Sequence, residues 1–215
     1  MTTVLLAHGS PDPRHAATLE RLRERVAGPL RDAAKGETRL VYIEHDHPRP
    51  HDLGPTLTDE VTVVPMLVTP AFHARVDVPA AVRALGAAGA PVRVAPALGG
   101  DPLLLVAVDE RLVAAGHAVD QPVLLVAGGS SSGQAGQSIR TLLDTHPRAG
   151  WLTMTLAAPR AGATTGRVVV PATLAEGVLH DKVAALAQAA GSPFVAGGLA
   201  DTAAVASLVL RRALG

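Results

Sequence analysis

Two short segments of this 215-residue chain carry side chains suited to holding a metal ion or moving a proton: Ala7-His8-Gly9-Ser10 and Phe72-His73-Ala74-Arg75-Val76-Asp77. Imidazole binds a divalent cation in its neutral form and takes up a proton near neutral pH. Each segment follows a short apolar run, Val4-Leu5-Leu6 in one case and Val61-Thr62-Val63-Val64-Pro65-Met66-Leu67 in the other. Such runs read as buried strands, so both histidines leave a sheet at the carboxyl ends of strands. Open parallel α/β sheets put their sites there, and the pair is expected to converge on one crevice.

A third group lies between them. His45, Asp46, His47 and His51 fall in a polar, proline-rich stretch. Histidines two apart in an extended chain point the same way, so they could gather a divalent cation, whereas a plain solvated loop is the simpler reading. Ser10 and Asp12 suit a turn and the cap of a helix beginning near Arg14.

The elements that must position these residues alternate between strands and helices, as in parallel βαβ units. The first half predicts strands near 3–7, 39–43, 61–66 and 92–96, with helices near 13–34, 78–88 and 102–115. The second half predicts strands near 122–127, 151–156, 167–171 and 193–196, with helices near 134–145, 179–190 and 201–214. The order is the same in both. Leu124-Leu125-Val126-Ala127-Gly128-Gly129-Ser130 echoes Val4 to Ser10 at an offset of 120, Val169-Val170-Pro171 echoes Val63-Val64-Pro65 at 106, and Asp201 with Arg211 echoes Asp101 with Arg111 at 100. Self-similarity of this length predicts two like α/β domains, 1–117 and 118–215, facing each other across a cleft. Gly128 stands where His8 stands in the first copy, while His180 falls near the position of His73. A competent site is therefore expected in the first half, with the second a degenerate repeat.

Composition narrows the function classes. Nineteen basic and nineteen acidic residues cancel, and four aromatic side chains in all leave no stacking platform, so nucleic acid is not an expected partner. With no cysteine there is neither a disulfide framework nor a thiolate metal site, and any metal is held by nitrogen or oxygen. No apolar run approaches the roughly 18 residues of a membrane span, and the amino terminus has no signal-peptide pattern. A cytoplasmic protein without membrane attachment is expected.

At this point the chain resembles the class II chelatases of the sirohydrochlorin type, the CbiX/SirB family. The resemblance rests on Leu6-Ala7-His8-Gly9-Ser10-Pro11-Asp12-Pro13-Arg14, on Val63-Val64-Pro65-Met66-Leu67 running into Phe72-His73-Ala74-Arg75-Val76-Asp77-Val78-Pro79, and on Ala97-Leu98-Gly99-Gly100-Asp101-Pro102. Pro171 to Asp181 resembles the corresponding loop of the longer members. The resemblance implies two flavodoxin-like domains with parallel sheets and insertion of a divalent metal into a modified tetrapyrrole, for siroheme or cobalamin synthesis. The metal is a substrate, Fe2+, Co2+ or Ni2+, and no permanently bound cofactor is implied. A histidine pair matching His8 and His73 is implied as metal ligands and bases, with a carboxylate from the second strand, for which Glu44 is the closest match. The segment after Glu44 and the loop before His73 both depart from the usual family pattern.

The chemistry suits these residue types. Inserting the ion expels two pyrrole protons, so the catalyst needs neutral nitrogen ligands and bases, and imidazole serves as both. Macrocycles of this kind carry several carboxylates, and Arg14 and Arg75, with Ser10, are the candidate substrate contacts. Two other readings stay open: a non-catalytic tetrapyrrole or metal carrier that kept the cleft, and a phosphate cradle in Gly128-Gly129-Ser130-Ser131-Ser132-Gly133. Retention of both His8 and His73 favours the enzyme, and the cradle lacks the lysine of a Walker loop.

Overall fold

The computed structural model describes residues 1–69, 76–128 and 135–215. The segment 70–75, with His73 and Arg75, and most of the Gly128 to Gly133 stretch lie outside the described residues. The first half runs β1 (Thr2–Ala7), α1 (Pro13–Asp32), β2 (Glu37–Tyr42), a short α2 (Pro50–Leu53), β3 (Val61–Pro65), α3 (Asp77–Leu85), β4 (Val92–Val94) and α4 (Leu103–Ala114). The second half runs β5 (Val123–Ala127), α5 (Ala135–Thr145), β6 (Leu152–Thr155), β7 (Val168–Pro171), α6 (Val178–Ala189) and α7 (Ala203–Leu214). Among the described residues the strands form two all-parallel sheets, ordered β2-β1-β3-β4 and β6-β5-β7. The expected fold class is the observed one.

The central strands of each sheet are buried on both faces, which is why they read as continuous apolar runs rather than alternating ones. Leu5, Ala7, Leu40, Tyr42 and Val64 face inward to a central core, and Val4, Leu6, Val41, Val61 and Val63 face outward to α3. In the second sheet Val123, Leu125, Ala127 and Val170 join that same central core, while Leu124, Val126 and Val169 pack outward with Val183 and Ala187 of α6. The two halves therefore share one core. The helices between the sheets supply its middle: α1 contributes Leu19, Leu22, Val26 and Leu30 at helical spacing, and α7 contributes Val205, Leu208 and Val209.

The sequence echo is carried into hydrogen bonds. Met66 donates its backbone N–H to Leu6, as Ala172 does to Val126. Ala95 donates to Val63 as Val195 does to Val169, and Gly99 to Leu67 as Leu199 does to Thr173. One expected strand is much reduced. Residues 193–196 make only a single parallel bridge, Phe194 to Val169, because Pro193 precedes it without an N–H and Gly197-Gly198 follows at once.

The ends of the halves are interleaved. α7 of the second half lies against α1, α4 and β3 of the first, and Arg211 and Arg212 on it pair with the buried carboxylate of Asp101, which also caps α4 through the Leu103 N–H. In return, α4 reaches the second half: Asp109 pairs with Arg148 at 2.8 Å, Arg111 donates to the Ala196 carbonyl, and Glu110 accepts the first N–H groups of α7 from Ala203 and Ala204. These carboxylate contacts at a helix amino terminus satisfy donors that the helix itself leaves open.

Candidate active site

Strand order reverses direction between β1 and β3, and the crevice outside the carboxyl ends of those strands is where such sheets bind ligands. Here the crevice is a cleft of about 430 Å³ between the halves. Its first wall carries His8, Gly9, Ser10, His15 and His45, with Met66 to Thr69 after β3. Its second wall is Gly128 and the segment Ala172 to His180.

His8 is fixed by an extension of the sheet. Beyond β1 and β2 the pairing continues, with Ile43 donating to Ala7 and Glu44 to His8 at 2.8 Å. Asp46 then accepts the Ser10 N–H at 3.1 Å. The chain must turn between these bonds, and Gly9 makes it possible: φ is +95°, and a Cβ there would sit 1.8 Å from the Glu44 carbonyl oxygen. The Nδ1–H of His8 faces the Gly9 carbonyl at 3.2 Å, which leaves the lone pair on Nε2. A ring nitrogen anchored on a carbonyl with the other as Lewis base is the arrangement that metal-binding histidines use.

His45 is the second described imidazole beside His8, with ring centroids 6.3 Å apart. Its backbone is left-handed, φ +66°, so the stretch from His45 to Pro48 bends rather than extends and leads into α2, which holds His51. The expectation that His45 and His47 point together fails for that reason. His47 and His51 instead flank Asp52 at α2, at 3.0 and 3.3 Å, with the Asp52 carboxyl held below its usual range by the Arg49 N–H and then by His47. Glu44 lies two residues beyond β2, exposed, its carboxylate 3.6 Å from His45 Nε2. Among the described residues no three of His, Asp or Glu are grouped closely enough to hold a metal.

Arg14 lies in the first turn of α1, after the N-cap Asp12 and Pro13, and grips two carboxylates, Asp12 at 2.5 Å and Asp181 of α6 at 2.6 Å. This draws the Asp12 carboxyl down to about 2 and ties the two cleft walls together. The second wall differs chemically from the first. At Gly128 a Cβ would lie 2.8 Å from a Leu179 methyl, so Leu179 fills the space where the first half has a side chain. His180 is 5% exposed; its Nε2 accepts the Gly197 N–H at 3.1 Å and its Nδ1 lies 3.3 Å from Asp181. Both nitrogens are spent on the fold.

Two cleft residues were not among the sequence candidates. Glu176 brings a half-buried carboxylate to the second wall, and His15 brings an imidazole from the first turn of α1. Neither has a local signal, since a histidine after Pro13-Arg14 reads as a solvated helix residue.

Taken together, fold and site define a two-sheet parallel α/β protein with an imidazole-lined cleft between its halves. A model of the CbiX family matches residues 2–115, just over half the chain, and the chain belongs to the CbiX family. Among solved structures it is similar to the sirohydrochlorin chelatase SirB of Bacillus subtilis subspecies spizizenii in complex with cobalt, at 17% identity over 99% of this chain and 93% of that one, TM-score 0.71. It is also similar to CbiX, the terminal enzyme for biosynthesis of siroheme in denitrifying bacteria, at 23% identity over 99% and 97%, TM-score 0.69. A third similar structure is a multi-domain Deinococcus radiodurans protein with structural similarity to chelatases and two additional novel domains; identity is 21%, TM-score 0.64, and this chain spans 54% of its length. At these identities the likeness shows the fold. Among curated proteins none matches. No described helix is long and apolar enough to cross a membrane.

Proposed function

We propose that the protein inserts a divalent metal into sirohydrochlorin or a close relative, for siroheme or cobalamin synthesis, in the cytoplasm. The observation that carries this reading is the cleft of a CbiX-family chain at the β1/β3 switch point, lined by the His8 imidazole. Residues 1–117 form the domain that bears the site, and 118–215 form a degenerate second copy. His8 and His73 present the incoming Fe2+, Co2+ or Ni2+ to one face of the macrocycle and take up the pyrrole protons, with Glu44 as the carboxylate partner. A site with few protein ligands suits this task, because a closed four-ligand cage would retain the ion. Ser10, Arg14 and Arg75 contact the macrocycle rim; for Arg14 this means exchanging Asp181 for a substrate carboxylate.

The test is an absorbance assay of purified protein with sirohydrochlorin and each ion in turn. Metal-dependent spectral change above the uncatalysed rate supports the enzyme. Tight macrocycle binding without turnover makes the protein a carrier instead.

A further inference from the structure

The described lining of the cleft holds no lysine or arginine and one carboxylate, Glu176. Arg14, the nearest described cation in sequence to His8, is already shared between Asp12 and Asp181. A ligand carboxylate that comes to rest against this described lining, away from Arg14 and Arg75, has to be met by a neutral donor, because a buried anion without a donor carries its full desolvation cost.

His15 supplies such a donor. Its ring lines the cleft, and its Nδ1 is buried and without a hydrogen-bond partner. Nε2, on the opposite edge, is the nitrogen left to face the open space. A buried lone pair without a partner is tolerated better than a buried orphan N–H, so the proton belongs on Nε2. Burial also pushes the imidazole below its ordinary value, outweighing the opposing field of Asp46; His8 lowers it further and Asp12 raises it. The ring is therefore held toward its neutral form, and with Nδ1 buried the proton on Nε2 is the one a ligand in the cleft can reach.

Resting on the chelatase reading, we propose that His15 is a specificity-determining contact that donates its Nε2–H to a carboxylate of the macrocycle rim. A neutral donor fits a cleft that must also admit a dication, since it binds the anion without adding positive charge that would repel the metal.

The test compares the parent with His15→Leu, which removes the donor, and His15→Gln, whose side-chain amide offers an N–H at similar reach. Sirohydrochlorin affinity is titrated by absorbance without metal, with circular dichroism to check that each variant is folded. His15→Leu should bind about tenfold more weakly and His15→Gln within about threefold of the parent, as for one hydrogen bond to a charged group. In turnover the loss should appear in KM for the macrocycle rather than in kcat or KM for the metal. Equal affinity in the parent and His15→Leu, or a fall in kcat with affinity kept, would overturn the assignment to His15 while leaving the chelatase reading intact. A parent that does not bind sirohydrochlorin at all would overturn both.

Discussion

The carbonyl oxygen of Glu44 occupies the space where any side chain at residue 9 would begin: an added Cβ would lie 1.8 Å from it, at a backbone φ of +95°. Gly9 is thus the hinge on which His8 is hung. Gly9→Ala should force the β1 and β2 loops apart, costing about 2–4 kcal/mol of stability and displacing His8 from His45. The variant should lose at least tenfold in metal insertion even at temperatures where calorimetry shows it folded. Parent-like insertion would show that the close approach of these loops is unimportant to the site.

His180 gives the opposite expectation. It is buried, with one nitrogen accepting from Gly197 and the other beside Asp181, so His180→Ala leaves a cavity and an unpaired N–H. Unfolding in urea should reveal a loss of about 2–4 kcal/mol, while the folded fraction inserts metal at close to the parent rate. A variant of parental stability but without turnover would move chemistry into the second half.

Asp101 holds the two halves together. It is 6% exposed and receives Arg211 and Arg212 as well as the Leu103 N–H. Asp101→Ala would break both ion pairs and remove a helix cap, a loss of about 1–3 kcal/mol, since Arg211 and Arg212 keep contact with solvent. Thermal melting should fall accordingly, and because the core is continuous the transition should remain single. Two separated transitions would show that the halves unfold independently.

His15 makes stability depend on pH. Its folded-state value lies below the ordinary histidine range, chiefly through burial, so the unfolded chain binds the proton more readily. Stability from this group is complete above about pH 6.5 and declines as pH falls from there through the lowered folded value. The melting temperature should drop between pH 7.5 and 5.5, and the drop should be shallower in His15→Gln. Parallel curves for the two proteins would contradict the buried, neutral imidazole.

The parallel α/β class, the order of the elements and the repeat were legible in the chain because each is written in local patterns: apolar runs, helical spacing and echoed motifs. His8 was legible because a histidine after a buried strand has a defined exit. What was not legible depends on residues distant in sequence. Nothing near Arg14 announces Asp181, and nothing near Asp101 announces that α7 returns to it from the far end of the chain. The fate of His45 turned on one left-handed residue, which splits it from His47 and His51. His15 entered the cleft only because α1 starts at its edge, a fact of packing rather than of pattern.

The central claim, that His8 and His73 of the first half carry metal insertion, is tested most directly by the initial rate of sirohydrochlorin metallation with Co2+ or Fe2+. Parent, His8→Ala and His73→Ala should be compared at equal folded concentration. The account predicts metal-dependent turnover in the parent and a loss of at least about 100-fold in each variant. Rates in either variant equal to the parent would contradict it.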